Sequence, residues 1–154
     1  MNRRSFLKIL LFIFASLSLK IFPTGKTKTI AFNYGVASGD PTNTNVILWT
    51  KITSEDLEDK KVSWEVSNQK NFQTILVSGN TKAKLDDNFT VKVDAKIPST
   101  FNGKKIYYRF LCQGILSEVG TTKTLPINNP NKFNIAFCSC SNYPAGYFNA
   151  YKEM

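Results

Sequence analysis

Apolar and polar residues alternate along the middle of this chain. Val62, Trp64 and Val66 are separated by Ser63 and Glu65; Phe89, Val91, Val93 and Ala95 are separated by Thr90, Lys92 and Asp94. A period of two, rather than 3.6, sends one set of side chains to a buried face and the other to water, so these runs predict strands. Similar runs cover residues 46–52, 72–78, 106–112 and 115–122, with an opening strand near 29–34.

About seven short strands divided by turn residues predict a mainly β chain folded as a fibronectin-III or immunoglobulin-like β-sandwich. Its expected extent is residues 27–126. Trp49 and Trp64 are expected in the core, where large aromatics contribute buried area. Cys112 follows Ile106, Tyr108 and Phe110 on one face and is expected beside them as a small core hydrophobe. Tyr107 or Tyr108 is placed for a tyrosine-corner-like contact. Between the first two expected strands, "GVASGDPT" (residues 35–42) reads as a turn centred on Gly39-Asp40-Pro41. It lacks the lysine of a P-loop and the glycine spacing of a dinucleotide loop.

The pattern changes near residue 127. "INNPNK" (127–132) reads as a connector. Phe133, Ile135 and Phe137 then alternate with Ala136, Cys138 and Cys140. A strand apolar on both faces belongs in the middle of a layered α/β domain. After Cys140 comes "SNYP", then Tyr147, Phe148 and Tyr151 at helical spacing. Strand, loop and helix open an α/β unit in which ligands gather at the carboxyl end of the strand, where Cys140 stands. Residues 133–154 are therefore expected to be the truncated beginning of such a domain, too short to bury itself. A Cys138–Cys140 redox pair is disfavoured, because a bridge between residues i and i+2 would be strained and thioredoxin-type chemistry uses Cys-x-x-Cys.

Composition narrows the chemistry. The chain of 154 residues contains no histidine, which excludes a Ser-His-Asp triad, a Cys-His pair or a His-ligated metal within it. The net charge of +9 raises the question of a polyanion partner. Beyond the N-terminal segment the lysines come singly or in pairs, so a solvated surface is the reading and no nucleic-acid partner is expected.

The first 20 residues, "MNRRSFLKILLFIFASLSLK", combine a basic start with an apolar run over 9–19. That run is shorter than the roughly 20 residues a membrane-spanning helix needs, and it reads as an export signal. Arg3-Arg4 followed by Ser5-Phe6-Leu7-Lys8 resembles a twin-arginine signal, with Asn2 departing at its first position. The resemblance implies the twin-arginine export machinery as a partner and a periplasmic or extracellular location; an uncleaved segment would anchor the chain to the membrane. Loss of residues 1–18 would remove three positive charges and no acid, lowering +9 to +6.

"FNYGVASGDPTNTNVILWTKI", "KVSWEVS", "TVKVDAKI", "KIYYRF" and "FCSCSNYPAGYFNAYKEM", in that order after the signal, resemble the PhoD-type alkaline phosphatases and phosphodiesterases. The resemblance spans nearly the whole chain. It implies a fibronectin-like N-terminal domain followed by a calcineurin-like metallophosphatase domain that hydrolyses phosphate mono- and diesters. It also implies that Cys140 is a thiolate ligand to Fe(III), with Ca(II) alongside. The other ligands, a tyrosine, aspartates and the calcium ligands, come in that family from later segments. No role carries over to Cys138, where the family has a small residue. The expectation is thus the N-terminal portion of a secreted phosphatase, inactive alone for want of ligands. The alternative is a secreted, non-catalytic β-sandwich binding module.

Overall fold

The computed structural model describes residues 29–128 without interruption, then residues 132, 134–139, 142, 144, 146, 147, 149 and 151. The export-signal reading of residues 1–20 lies outside the described residues.

Two sheets enclose one core. The smaller sheet has the order β2 (Val36–Gly39), β3 (Asn45–Lys51), β7 (Thr90–Lys96). The larger has the order β10 (Gly120–Thr122), β8 (Ile106–Cys112), β5 (Lys60–Ser67), β6 (Ile75–Ala83), with β9 (Ile115–Leu116) hairpinned onto β8. All pairings are antiparallel. A small ladder joins β1 (Ile30–Ala31) to β4 (Thr53–Ser54). Lettered A to G in chain order, the seven sandwich strands run A-B-E against G-F-C-C′, the fibronectin-III arrangement. The expected mainly β sandwich is the fold.

Alternation positions the core. Val46 and Leu48 of β3 and Val91 and Ala95 of β7 meet Val62, Trp64 and Val66 of β5 and Ile106, Tyr108, Phe110 and Cys112 of β8. Strand β8 has the bounds its pattern predicts, and Cys112 is buried as expected. Tyr108 and Phe110 pack edge to face, with centroids 6.3 Å apart.

Several local expectations are corrected. Trp49 is half-buried on the outer face of its sheet, flanked in register by Ala37 and Lys92, because Val46, Leu48 and Thr50 take the inward parity. Strand β2 occupies Val36–Gly39, inside the stretch read as a turn, and the left-handed residue that follows is Asp40 (φ 47°), not Gly39. The sixth strand begins at Ile75 rather than at residue 72, since Phe72 sits in a turn at φ 57°.

The run over 115–122 is split by Ser117. Its amide donates to the Phe110 carbonyl (2.9 Å), while its hydroxyl accepts from the Phe110 amide (2.9 Å) and donates to the Glu118 carbonyl (2.8 Å). A side chain thus takes over part of the ladder, which resumes at Gly120.

Tyr108 ties the sheets together. Its hydroxyl faces the Ser38 side chain in β2, so the contact crosses to the other sheet instead of turning back along its own chain as in a tyrosine corner. The ring passes over Gly120, its cross-strand partner, whose missing side chain leaves the room.

Candidate functional site

The segment carrying the candidate metal ligand forms no strand over residues 134–139. Ile135 is 83% exposed and Phe137 87%, so the apolar faces that predict a central strand stand uncovered. The physical reason is pairing: a strand buried on both sides needs neighbours for its backbone and layers for its side chains. Cys138 is half-buried. Cys140 lies outside the described residues. Asn149 and Tyr151 have helical backbone, and Tyr147 before them is 94% exposed.

The iron and calcium implied by the resemblance find no centre among the described residues, where no group of three or more His, Cys, Asp or Glu side chains could hold a metal ion. The described part of the chain does not fit such a centre. What it offers instead is a scaffold with two organised polar features.

The first is the place where the chain leaves the sandwich. Thr42 organises the β2–β3 loop: its hydroxyl accepts from the amides of Thr44 (3.2 Å) and Asn45 (2.9 Å), and its own amide donates to the Asn45 carbonyl (2.9 Å). Amides used in this way cannot also cradle a phosphate, in keeping with the lack of a phosphate-loop motif in this stretch. Against this loop lies the strand exit, where the Leu125 amide donates to the Thr42 carbonyl (2.8 Å). The Thr124 hydroxyl accepts from the Gly103 amide (3.1 Å), and the whole side chain is buried. A cleft of about 310 Å³ opens there, lined by Pro41, Lys123, Leu125, Pro126, Lys132 and Asn134 among others.

The second is a buried ion pair that the sequence reading missed. Lys60 Nζ lies 3.0 Å from Asp56 Oδ2, with the lysine side chain only 4% exposed. The available signal was parity, since Lys60 shares the inward phase of Val62, Trp64 and Val66. Cys112 lies within its electrostatic reach: burial pushes the thiol above its ordinary value of 9.0, and the Lys60 charge opposes that rise. Burial likewise raises Tyr108 above 10.0, opposed by the Ser38 hydrogen bond.

Arg109, the only arginine beyond the first four residues, has a structural place. It faces Glu65 across the β5–β8 ladder, with its Nε donating to Oε2 at 2.8 Å and Nη2 at 2.7 Å from the same oxygen. Its guanidinium stacks 4.1 Å from the centroid of the Phe72 ring. The sandwich itself is close to neutral: residues 29–128 hold 12 lysines and arginines against 10 acids, a surplus of two. Most of the chain's net positive charge, +7 of +9, therefore lies outside it.

Among the described residues the sandwich is near neutral in charge, its exit is ordered, and no metal-holding cluster is present. Residues 18–126 match the family described as PhoD-like phosphatase, N-terminal domain, and the chain belongs to that family. It is 39% identical over 134 residues to alkaline phosphatase D of Bacillus subtilis (strain 168). That match takes in 80% of this chain and 22% of the relative. A solved structure of PhoD superposes with a TM-score of 0.69 at 37% identity, over 79% of this chain and 25% of that one. The chain thus spans about a quarter or less of the length of these relatives.

Proposed function

We propose that this chain is the N-terminal portion of an exported PhoD-type alkaline phosphatase, a metal-dependent hydrolase of phosphate mono- and diesters. The observation that carries the reading is one continuous likeness, in sequence and in fold, to alkaline phosphatase D. The sandwich serves as the scaffold, and the catalytic groups belong to the segment that follows it in such enzymes. Cys140 is proposed as a thiolate ligand to Fe(III), with Ca(II) alongside. The Cys140 thiolate would hold the ion, and the chemistry supplied there would be Lewis-acid activation of a phosphoryl oxygen. None of the residues described in the sandwich is assigned to the chemistry. Arg3-Arg4 and the apolar run after them support export by the twin-arginine machinery.

The test is an assay of the purified 154-residue chain with an aryl phosphate, Fe(III) and Ca(II) supplied. No turnover is expected, whereas a longer product that includes the downstream domain should hydrolyse the ester. Turnover by the short chain would overturn the reading that it is inactive alone. Failure of the longer product would overturn the phosphatase reading itself.

A further inference from the structure

We infer that the loop from Asp40 to Thr44, together with Gly103, forms a seat that fixes the direction in which the chain leaves the sandwich. Thr42, Gly103 and Thr124 are then positioning residues for the chain's own continuation beyond Pro126. The inference rests on the reading that a further domain follows, in that only then does the exit direction matter.

Three separate constraints fall within the four residues after β10. The Leu125 amide is bound to the Thr42 carbonyl at 2.8 Å. The buried Thr124 hydroxyl holds the Gly103 amide at 3.1 Å. Pro126 closes on Gly103, where a Cβ would stand 3.0 Å from the Pro126 Cβ and 3.1 Å from its Cα. Gly103 also has φ 68°, a conformation that costs glycine least, so contact and backbone both require that residue.

The seat is itself held from behind. Thr42 is fixed by the bonds from Thr44 and Asn45, and the Thr44 carbonyl accepts from the Ile97 amide at 2.7 Å, tying the loop to the end of β7. Lys132 and Asn134 line the same cleft as Pro41, so the chain beyond the exit stays at this end of the sandwich.

Linkers between domains are by default flexible, with few contacts crossing them. Here the free connector starts after Pro126 rather than at the end of β10. Binding residues 123–126 to the sandwich removes four residues of slack, about 14 Å of reach at full extension. The turn stretch "GDPT" thereby gains a role other than reversing the chain: it supplies the carbonyl on which the exit is docked.

Amide hydrogen exchange followed by NMR on the 154-residue chain tests this. The Leu125 amide should exchange at least about 100-fold more slowly than that of Ile127, two residues on. Gly103→Ala should cut Leu125 protection by about tenfold or more while the amides of β5 and β8 keep theirs. A general structural role for Gly103 would instead lower protection throughout the sandwich. Should Gly103→Ala fail to fold, Thr124→Val removes the acceptor at nearly constant shape and should have the same local effect. Leu125 exchanging as fast as Ile127, or protection unchanged in both variants, would overturn the inference. Hydrolysis is read nowhere in the experiment, so its failure leaves the phosphatase reading standing, and an inactive longer product would leave the seat standing.

Discussion

The indole of Trp64 lies directly over Gly79, its cross-strand partner on the edge strand β6. A Cβ at position 79 would stand 2.7 Å from Trp64 Cζ2, inside van der Waals contact with a largely buried ring. The edge strand gives up a side chain, and the neighbouring aromatic covers the bare backbone. Gly79→Ala is therefore expected to destabilise the sandwich. Overpacking costs about 1–3 kcal/mol. The reduced freedom of the unfolded chain returns about 0.4–1 kcal/mol. A net loss of about 1–2 kcal/mol should show as a lower urea midpoint at unchanged slope. Trp64→Phe combined with Gly79→Ala should lose less than the sum of the two single changes, because the smaller ring vacates the contested space.

Tyr108 repeats the device over Gly120 and adds a polar contact with Ser38. Tyr108→Phe keeps the ring over the glycine and removes only the tie between sheets. The expected cost is about 0.5–1.5 kcal/mol. Ser38→Ala should cost about as much, and the double variant little more than either single one, which thermal or urea unfolding would read directly. Additive losses would mean that the two groups act separately.

The buried pair of Lys60 and Asp56 should behave asymmetrically. Asp56→Ala leaves an ammonium group that is 4% exposed without this partner, and a loss of about 3 kcal/mol is expected. Lys60→Met with Asp56→Ala should recover much of that, since an apolar side chain suits the site once no charge is left in it. A double-mutant cycle on urea midpoints measures both.

Stability should decline in mild alkali. Cys112 and Tyr108 both have folded-state values raised by burial, from 9.0 and 10.0. Above pH 9 the unfolded chain begins to release the thiol proton while the folded chain still holds it, so the folded state binds more protons and unfolding grows easier as pH rises. Well below pH 9 these two groups contribute almost no slope. Unfolding midpoints collected from pH 8 to above pH 10 should fall through that window. The fall between pH 9 and 10 should be shallower in Cys112→Ala, whatever its stability at pH 8.

Where alternation is clean, the fold can be read from the sequence to the residue. Strand β8 alternates Ile106, Tyr108, Phe110 and Cys112 with half-buried neighbours and starts and stops where that pattern does. Strand β2, "VASG", carries little hydrophobic contrast and depends on its pairing with β3, so its sequence resembles a loop. Trp49 shows that parity outranks size: the inward phase of β3 belongs to Val46, Leu48 and Thr50, and the larger ring takes the outer face. Lys60 shows the reverse, parity placing a charge in the core that composition alone would keep outside. The exit seat was hidden for another reason, since it is built from backbone groups of loops distant in sequence, and Leu125 and Thr42 reveal nothing of their bond in their side chains.

Strand β2 ends after four residues, in a left-handed Asp40 and then Pro41, which has no amide hydrogen to offer. A short edge finished in this way is a poor template for a strand from a second molecule. The sandwich is thus shielded against edge-to-edge growth at that side. The exposed Ile135 and Phe137 have no such guard, so self-association of this chain in solution should proceed through its tail and be suppressed by polar substitutions there, with the sheets left intact.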